Sequence, residues 1–168
     1  YPVRMLNLGG GYPCQYATHL PIASIEDVAS ALRKPLADLP GDVRTVAEPG
    51  RYIVGSAAAL VATVIARVER QGTHWLFLDA GCYNALFESM SYQGSTIYPV
   101  MAPTRNGSPA AFSLAGPTGD SPDVVRRDVL LPEDIGAGDR LLFTQVGAYS
   151  MGMAIPFNGF PKPKIFTL

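Results

Sequence analysis

Leu60-Val61-Ala62-Thr63-Val64-Ile65-Ala66-Arg67-Val68 is followed by the polar Glu69-Arg70-Gln71-Gly72, then by Thr73 and His74-Trp75-Leu76-Phe77-Leu78-Asp79. Both apolar runs are rich in β-branched and aromatic residues, which fit a pleated, half-buried surface. A polar turn ending in glycine separates them. The pattern predicts an antiparallel hairpin. Downstream, residues 96–101, 111–114, 124–130, 140–146 and 164–168 are further short strand candidates, punctuated by Gly, Pro and Asp. Residues 103–109 are the most linker-like segment. From about residue 55 onward the expectation is therefore a mostly antiparallel β domain, spanning 55–168.

Upstream the character differs. Residues 3–8 read as a short buried strand stopped by Gly9-Gly10-Gly11. Ser24 with Asp27 three residues later is an N-cap signal, and Ile25, Val28, Ala29 and Leu32 follow at helical spacing. Pro35 should end or kink that helix. Residues 43–47 form a second short strand before Pro49-Gly50. Strand, helix, strand over residues 1–54 is the tail of an alternating α/β unit. The chain opens Tyr1-Pro2-Val3 within the first strand and without Met, so the expectation is a piece of a longer protein.

Composition excludes several function classes. The 168 residues carry 13 Lys plus Arg against 14 Asp plus Glu, for a net charge of −1. Such balance argues against nucleic acid or an anionic membrane surface as partner. Hydrophobic residues at 48% and charged residues at 16% suit a packed core rather than disorder. The 17 glycines and 15 prolines exceed the usual share of roughly 12% and fit many short strands with turns between them. Cys14 and Cys82 make neither a disulfide framework nor a zinc quartet, and no metal site is expected. His19 and His74 do not cluster with Cys or carboxylates, and His74 reads as structural. No signal peptide or spanning segment is visible, and the expected location is the cytoplasm.

Several short motifs carry chemistry. Leu6-Asn7-Leu8-Gly9-Gly10-Gly11-Tyr12-Pro13 places three glycines after a strand. They make either a tight turn or a cradle whose backbone N–H groups approach a phosphate. No Gly-Lys-Ser/Thr follows, so this is not a Walker loop. Glu48-Pro49-Gly50-Arg51 ends the second strand, where α/β barrels place their chemistry. Arg51 can clamp a phosphate and Glu48 can hold a proton on a heterocyclic nitrogen; the alternative is a surface ion pair. Gly116-Pro117-Thr118-Gly119-Asp120-Ser121-Pro122-Asp123 is either a plain loop or a carboxylate-bearing site. Gly147-Ala148-Tyr149 and Phe157-Asn158-Gly159-Phe160 are weak signals alone, because a tyrosine in such a turn is usually packing.

In this order, LNLGGGYP, AEPGRYIVGSA, LDAGCYNAL, GPTGDSPD and VGAYSMGMAIPFNGF resemble the C-terminal part of the pyridoxal-phosphate-dependent decarboxylases of basic amino acids. These are the ornithine and diaminopimelate decarboxylases, of fold type III. The resemblance covers about residues 6–160. It implies the last strands of an alanine-racemase-like (β/α)8 barrel followed by a C-terminal antiparallel β domain. The implied activity is decarboxylation of an amino acid with a distal polar or cationic group, with pyridoxal 5'-phosphate as cofactor.

The resemblance also implies residue roles. Gly9, Gly10 and Gly11 would donate backbone N–H groups to the cofactor phosphate, Arg51 would add charge there and Tyr149 a hydroxyl. Glu48 would face the pyridine nitrogen and keep it protonated, so that the ring absorbs the electrons left when CO₂ departs. Asp120 would pair with the distal ammonium of the substrate in the partner subunit's site, with Tyr83 and Phe157 lining the pocket. The implied assembly is a homodimer with shared active sites. None of the three lysines, Lys34, Lys162 and Lys164, stands at the end of a barrel strand. An N-terminal portion of the same enzyme, carrying the Schiff-base lysine, is therefore expected as a partner.

Two departures bear on this. The family pattern reads Gly-Pro-Thr-Cys-Asp-Ser, and Gly119 stands in place of that cysteine, which is associated with returning a proton to the α-carbon. The ornithine branch carries an acidic residue after the Gly-x-Tyr motif; here Tyr92 falls at the matching spacing, with Glu88 nearby. Two rival readings stay open: a catalytically silent homologue acting as a protein-binding regulator, and a family member with altered cofactor chemistry.

Overall fold

The computed structural model describes residues 2–15, 21–91 and 98–167. Strand β1 (Met5–Asn7), helix α1 (Ile25–Ala37) and strand β2 (Arg44–Val46) come first. The two strands pair in parallel, Met5 opposite Arg44 and Asn7 opposite Val46. Ser24 caps α1 in a full capping box with Asp27, which satisfies otherwise orphaned donors at the helix start. The hydrogen bonds from Ser24 hold the Asp27 carboxyl below its usual range. Pro35 does not end the helix. It lies in the last turn, which runs on to Ala37 before the Asp38 cap; proline's fixed φ suits a helix and only one backbone donor is missing.

Helix α2 (Gly50–Val54) and a 3₁₀ turn (Gly55–Ala57) lead into the second part. There β3 (Leu60–Arg70), β4 (Thr73–Leu78), helix α3 (Glu88–Ser91), β5 (Val100–Met101), β6 (Pro109–Ala115), β7 (Val124–Pro132) and β8 (Arg140–Phe143) follow. The strands form one sheet in the order β5-β8-β3-β4-β6-β7. The eleven-residue β3 is its spine. Its first half pairs with β8, Leu60 opposite Phe143, and its second half with β4, Arg70 opposite Thr73. The predicted hairpin forms. Gln71 and Gly72 both take positive φ, 52° and 74°, the conformation a two-residue turn needs to match strand twist.

Alternation along the strands builds the core. Leu76 and Leu78 of β4, Phe112 and Leu114 of β6, Val129 and Leu131 of β7 and Leu141 and Phe143 of β8 are all buried. Each such side chain contributes about 1.5–3 kcal/mol on leaving water. Ala85, Leu86, Tyr98 and Ile135, from the connections, close over this layer. On the opposite face of β4, Trp75 and Phe77 stack and are covered by the Arg127 and Arg70 guanidinium groups.

Several expectations are corrected. The sheet is antiparallel except for β4 and β6, which pair in parallel; the long connection through α3 and β5 supplies the crossover a parallel pair needs. Residues 164–167 form no strand. Pro161 and Pro163 bring no backbone donors, and Ile165 and Phe166 stand 75% and 80% exposed rather than packed on the sheet. Strand β8 stops at Phe143, before Gln145 at φ 63°. Of residues 96–101 only Val100–Met101 is strand among the described residues. The linker-like segment is tied down by Arg105, which pairs with Asp139 at 2.8 Å and Asp134 at 3.5 Å. His19 and Tyr92 lie outside the described residues. Among those described, no helix is long and apolar enough to cross a membrane.

Candidate functional site

Because β1 and β2 are parallel neighbours, the chain leaves both at the same end. Gly9-Gly10-Gly11 and Glu48-Pro49-Gly50-Arg51 therefore lie side by side. The Glu48 N–H donates to the Gly9 carbonyl at 2.8 Å. A Cβ on Gly10 would come within 2.8 Å of the Glu48 carbonyl oxygen, so only glycine permits this approach. Gly9 and Gly11 have positive φ and open space on the side a Cβ would fill. Asn7, given no role from sequence, organises the corner: its amide donates to Glu48 Oε1 at 2.5 Å and its oxygen accepts from the Gly9 N–H at 2.8 Å. A polar residue in the strand just before the glycines was the available signal.

Arg51 projects from the first turn of α2. Its two Nη groups donate to the two carboxylate oxygens of Glu88, and its Cζ lies 4.7 Å over the Tyr149 ring centre. Tyr149 is brought there by its loop. The Gly147 N–H donates to the Gly55 carbonyl at 2.9 Å, and the Ser150 hydroxyl closes the turn on the Val146 carbonyl. Tyr98 donates its hydroxyl to Glu88 at 3.4 Å. Burial first, then the Glu88 charge, pushes the Tyr98 phenol up, so it stays a donor. Glu48 is held by Asn7, and Arg51 forms an ion pair with Glu88.

A second cluster forms around residues 116–123. Asp123 is 2% exposed and holds two segments together. It accepts from the Cys82 N–H at 2.7 Å, the Thr118 N–H at 3.2 Å and the Thr118 hydroxyl at 2.7 Å. Gly81 and Gly116 flank it so closely that a Cβ on either would run into its carboxylate. The result brings Asp120 to Tyr83, whose hydroxyl donates to Asp120. Phe157 stacks on the Tyr83 ring at 4.2 Å and 20°, and the Asn158 amide donates to the Thr118 carbonyl at 3.1 Å. The Asp120 hydrogen bond pushes the Tyr83 phenol up to about 12. Cys82 is fully buried, and burial with the Asp123 charge pushes its thiol up; a thiol so held is inert.

The structure thus groups Gly9, Gly10, Gly11 and Glu48 in one corner, Arg51 with Tyr149, and Tyr83 with Asp120 and Phe157. Sequence reading missed Asn7 and passed over Glu88 and Asp123 as partners. Lys34 lies in the last turn of α1, and Lys162 and Lys164 lie outside regular structure. His74 packs on Phe112, ring centres 5.8 Å apart. Among the described residues no three His, Cys, Asp or Glu side chains converge as a metal site.

Gly119 has φ 72°, and a Cβ added there would meet nothing within 4 Å. Gly119→Cys should therefore fit without a clash, at a cost of about 1–2 kcal/mol for the left-handed backbone. Chemical denaturation of the variant checks this; a loss above about 4 kcal/mol would mean a hidden steric conflict.

A family profile described as "Pyridoxal-dependent decarboxylase, C-terminal sheet domain" matches residues 25–147. The lysine/ornithine decarboxylase of Selenomonas ruminantium is 36% identical over 156 residues, covering 92% of this chain and 38% of that protein. The chain thus spans about two fifths of the length of the curated relatives it matches. The solved lysine/ornithine decarboxylase of Vibrio vulnificus, complexed with cadaverine, superposes with a TM-score of 0.81 at 33% identity, over 95% of this chain and 42% of that one. Diaminopimelate decarboxylase from M. jannaschii, in co-complex with L-lysine, gives 0.83 at 28% identity, over 97% and 37%. Sheet domain, glycine corner and matched relatives agree: this chain belongs to the pyridoxal-dependent decarboxylase family.

Proposed function

We propose that this chain supplies the C-terminal part of a pyridoxal-phosphate-dependent decarboxylase acting on an amino acid with a distal polar or cationic group. Residues 1–54 are the remnant of a (β/α)8 barrel and carry the cofactor side. Residues 55–168 form the β domain, with the substrate and dimer-interface loops. The observation that carries this reading is the parallel β1–β2 corner, where the glycine run, Glu48 and, one turn later, Arg51 follow the same strand ends, with Tyr149 brought against Arg51 from the loop after β8.

The residues fit the cofactor. Open space above Gly9 and Gly11 leaves room for a phosphate against backbone, and the guanidinium of Arg51 supplies positive charge. Glu48, anchored by Asn7, offers a carboxylate to hold a proton on a ring nitrogen. The bound cofactor supplies an electron sink for the carbon that loses CO₂. Asp120, with Tyr83 as donor and Phe157 as wall, reaches into the partner subunit's site of a cytoplasmic homodimer and pairs there with the distal ammonium of the substrate. A two-stranded sheet cannot close a barrel, and Val3, Met5 and Ile53 stand 58–65% exposed beside it. An N-terminal portion carrying the remaining strands and the cofactor-anchoring lysine covers them.

Arg51→Ala in the assembled holoenzyme should weaken cofactor retention by about 1.5–3 kcal/mol, or roughly 10- to 100-fold. Equilibrium dialysis followed by cofactor fluorescence measures it. Unchanged retention would remove Arg51 from the cofactor site.

A further inference from the structure

We propose that Glu88, backed by Tyr98, is the positioning residue that aims Arg51 at its anionic ligand; this rests on the reading that Arg51 binds the cofactor phosphate. An arginine has many rotamers, and a phosphate site needs its planar fork held in one orientation. Two contacts do so. Glu88 takes one N–H from each Nη, which fixes the guanidinium in its plane. The Tyr149 ring, 4.7 Å from Cζ, supports its face. A guanidinium carries five N–H donors, and two of them go to Glu88.

Glu88 is itself held. It is 8% exposed, in a helix that starts just after the buried Ala85 and Leu86. Tyr98, 3% exposed, donates to Glu88 Oε2, the oxygen that accepts from Nη1 of Arg51. The order Tyr98, Glu88, Arg51 is thus a chain of donor and acceptor ending at the proposed phosphate site. Because α3 follows the Tyr83 segment in sequence, the same short stretch, residues 83–88, supports both clusters: Tyr83 on Asp120 and Glu88 on Arg51.

The test compares binding of pyridoxal phosphate with that of pyridoxal, which lacks the phosphate, in the assembled protein. Loss of a residue that orients a ligand side chain costs about 10- to 100-fold in comparable metal sites. Glu88→Ala should weaken pyridoxal phosphate about tenfold and leave pyridoxal unchanged. Glu88→Gln, which keeps the shape and one acceptor, should recover part of the loss and serves if the alanine variant does not fold. In an Arg51→Ala background, Glu88→Ala should weaken binding no further. If Arg51→Ala discriminates between the two ligands but Glu88→Ala binds pyridoxal phosphate unchanged or more tightly, Glu88 does not position Arg51 and the inference fails alone. Equal losses for both ligands would show a merely structural role and overturn it. If Arg51→Ala fails to discriminate, the phosphate reading of Arg51 is what fails.

Discussion

Asp123→Ala should lower the stability of the assembled protein by about 2–6 kcal/mol. The side chain is buried and serves two backbone N–H groups and one hydroxyl. Each buried donor left without an acceptor costs about 1–3 kcal/mol, and the Thr118 hydroxyl can turn to another acceptor, so the two N–H groups dominate. At roughly 2–4 °C per kcal/mol for a domain of this size, the midpoint should fall by about 10 °C. Gly116→Ala should act similarly, because its methyl would strike the same carboxylate. Thermal and urea melts check both. A loss below about 1 kcal/mol for Asp123→Ala would show that water replaces the carboxylate and that the junction is not dry. The consequence reaches function: the Asp123 N–H donates to the Asp120 carbonyl at 3.0 Å, so loosening Asp123 also unfixes Asp120.

What could be read in advance follows from how local each signal is. The β3–β4 hairpin was legible because β-branched runs and a Gln-Gly turn act within a short stretch of chain. The capping box of α1 was legible for the same reason. The parallel β4–β6 pair was not, since its register depends on a long crossover through α3 and β5. The tail at residues 164–167 misled because Ile165, Phe166 and Thr167 have strand propensity, yet propensity needs a partner edge and the prolines deny one. In the site, glycines after strands were visible, whereas their supports were not. Asn7, Glu88 and Asp123 are ordinary polar residues in sequence. Their importance comes from contacts 41, 37 and 41 positions away, with Glu48, Arg51 and Cys82. Charge in a buried place is costly unless compensated, which is why Glu88 and Asp123, rather than more exposed carboxylates, are the ones whose partners hold the site together.

Asp120→Asn should raise the KM for a substrate with a distal ammonium by about 10- to 100-fold, the equivalent of roughly 1.5–3 kcal/mol for a charged hydrogen bond. Cofactor retention should be unchanged, since the contacts of Asp120 run to Tyr83, Thr118 and Asp123 and not to the glycine corner. A neutral amide keeps the shape and can still accept from Tyr83, so the change isolates charge. The pH dependence has a definite sign. The Asp120 contact raises the Tyr83 phenol from 10.0 to about 12, so the hydrogen bond is fully formed below pH 10 and is lost as pH rises toward 12. Loss of substrate affinity at pH values short of that window would then have to come from groups other than Tyr83. Tyr83→Phe should leave the neutral range flat while removing one late-titrating phenol from the ultraviolet titration. A KM raised equally for substrates with and without a distal charge would show that Asp120 acts on the loop and not on the ammonium. The steady-state panel needs only two amino acids of equal length, one ending in an amine and one in a methyl group.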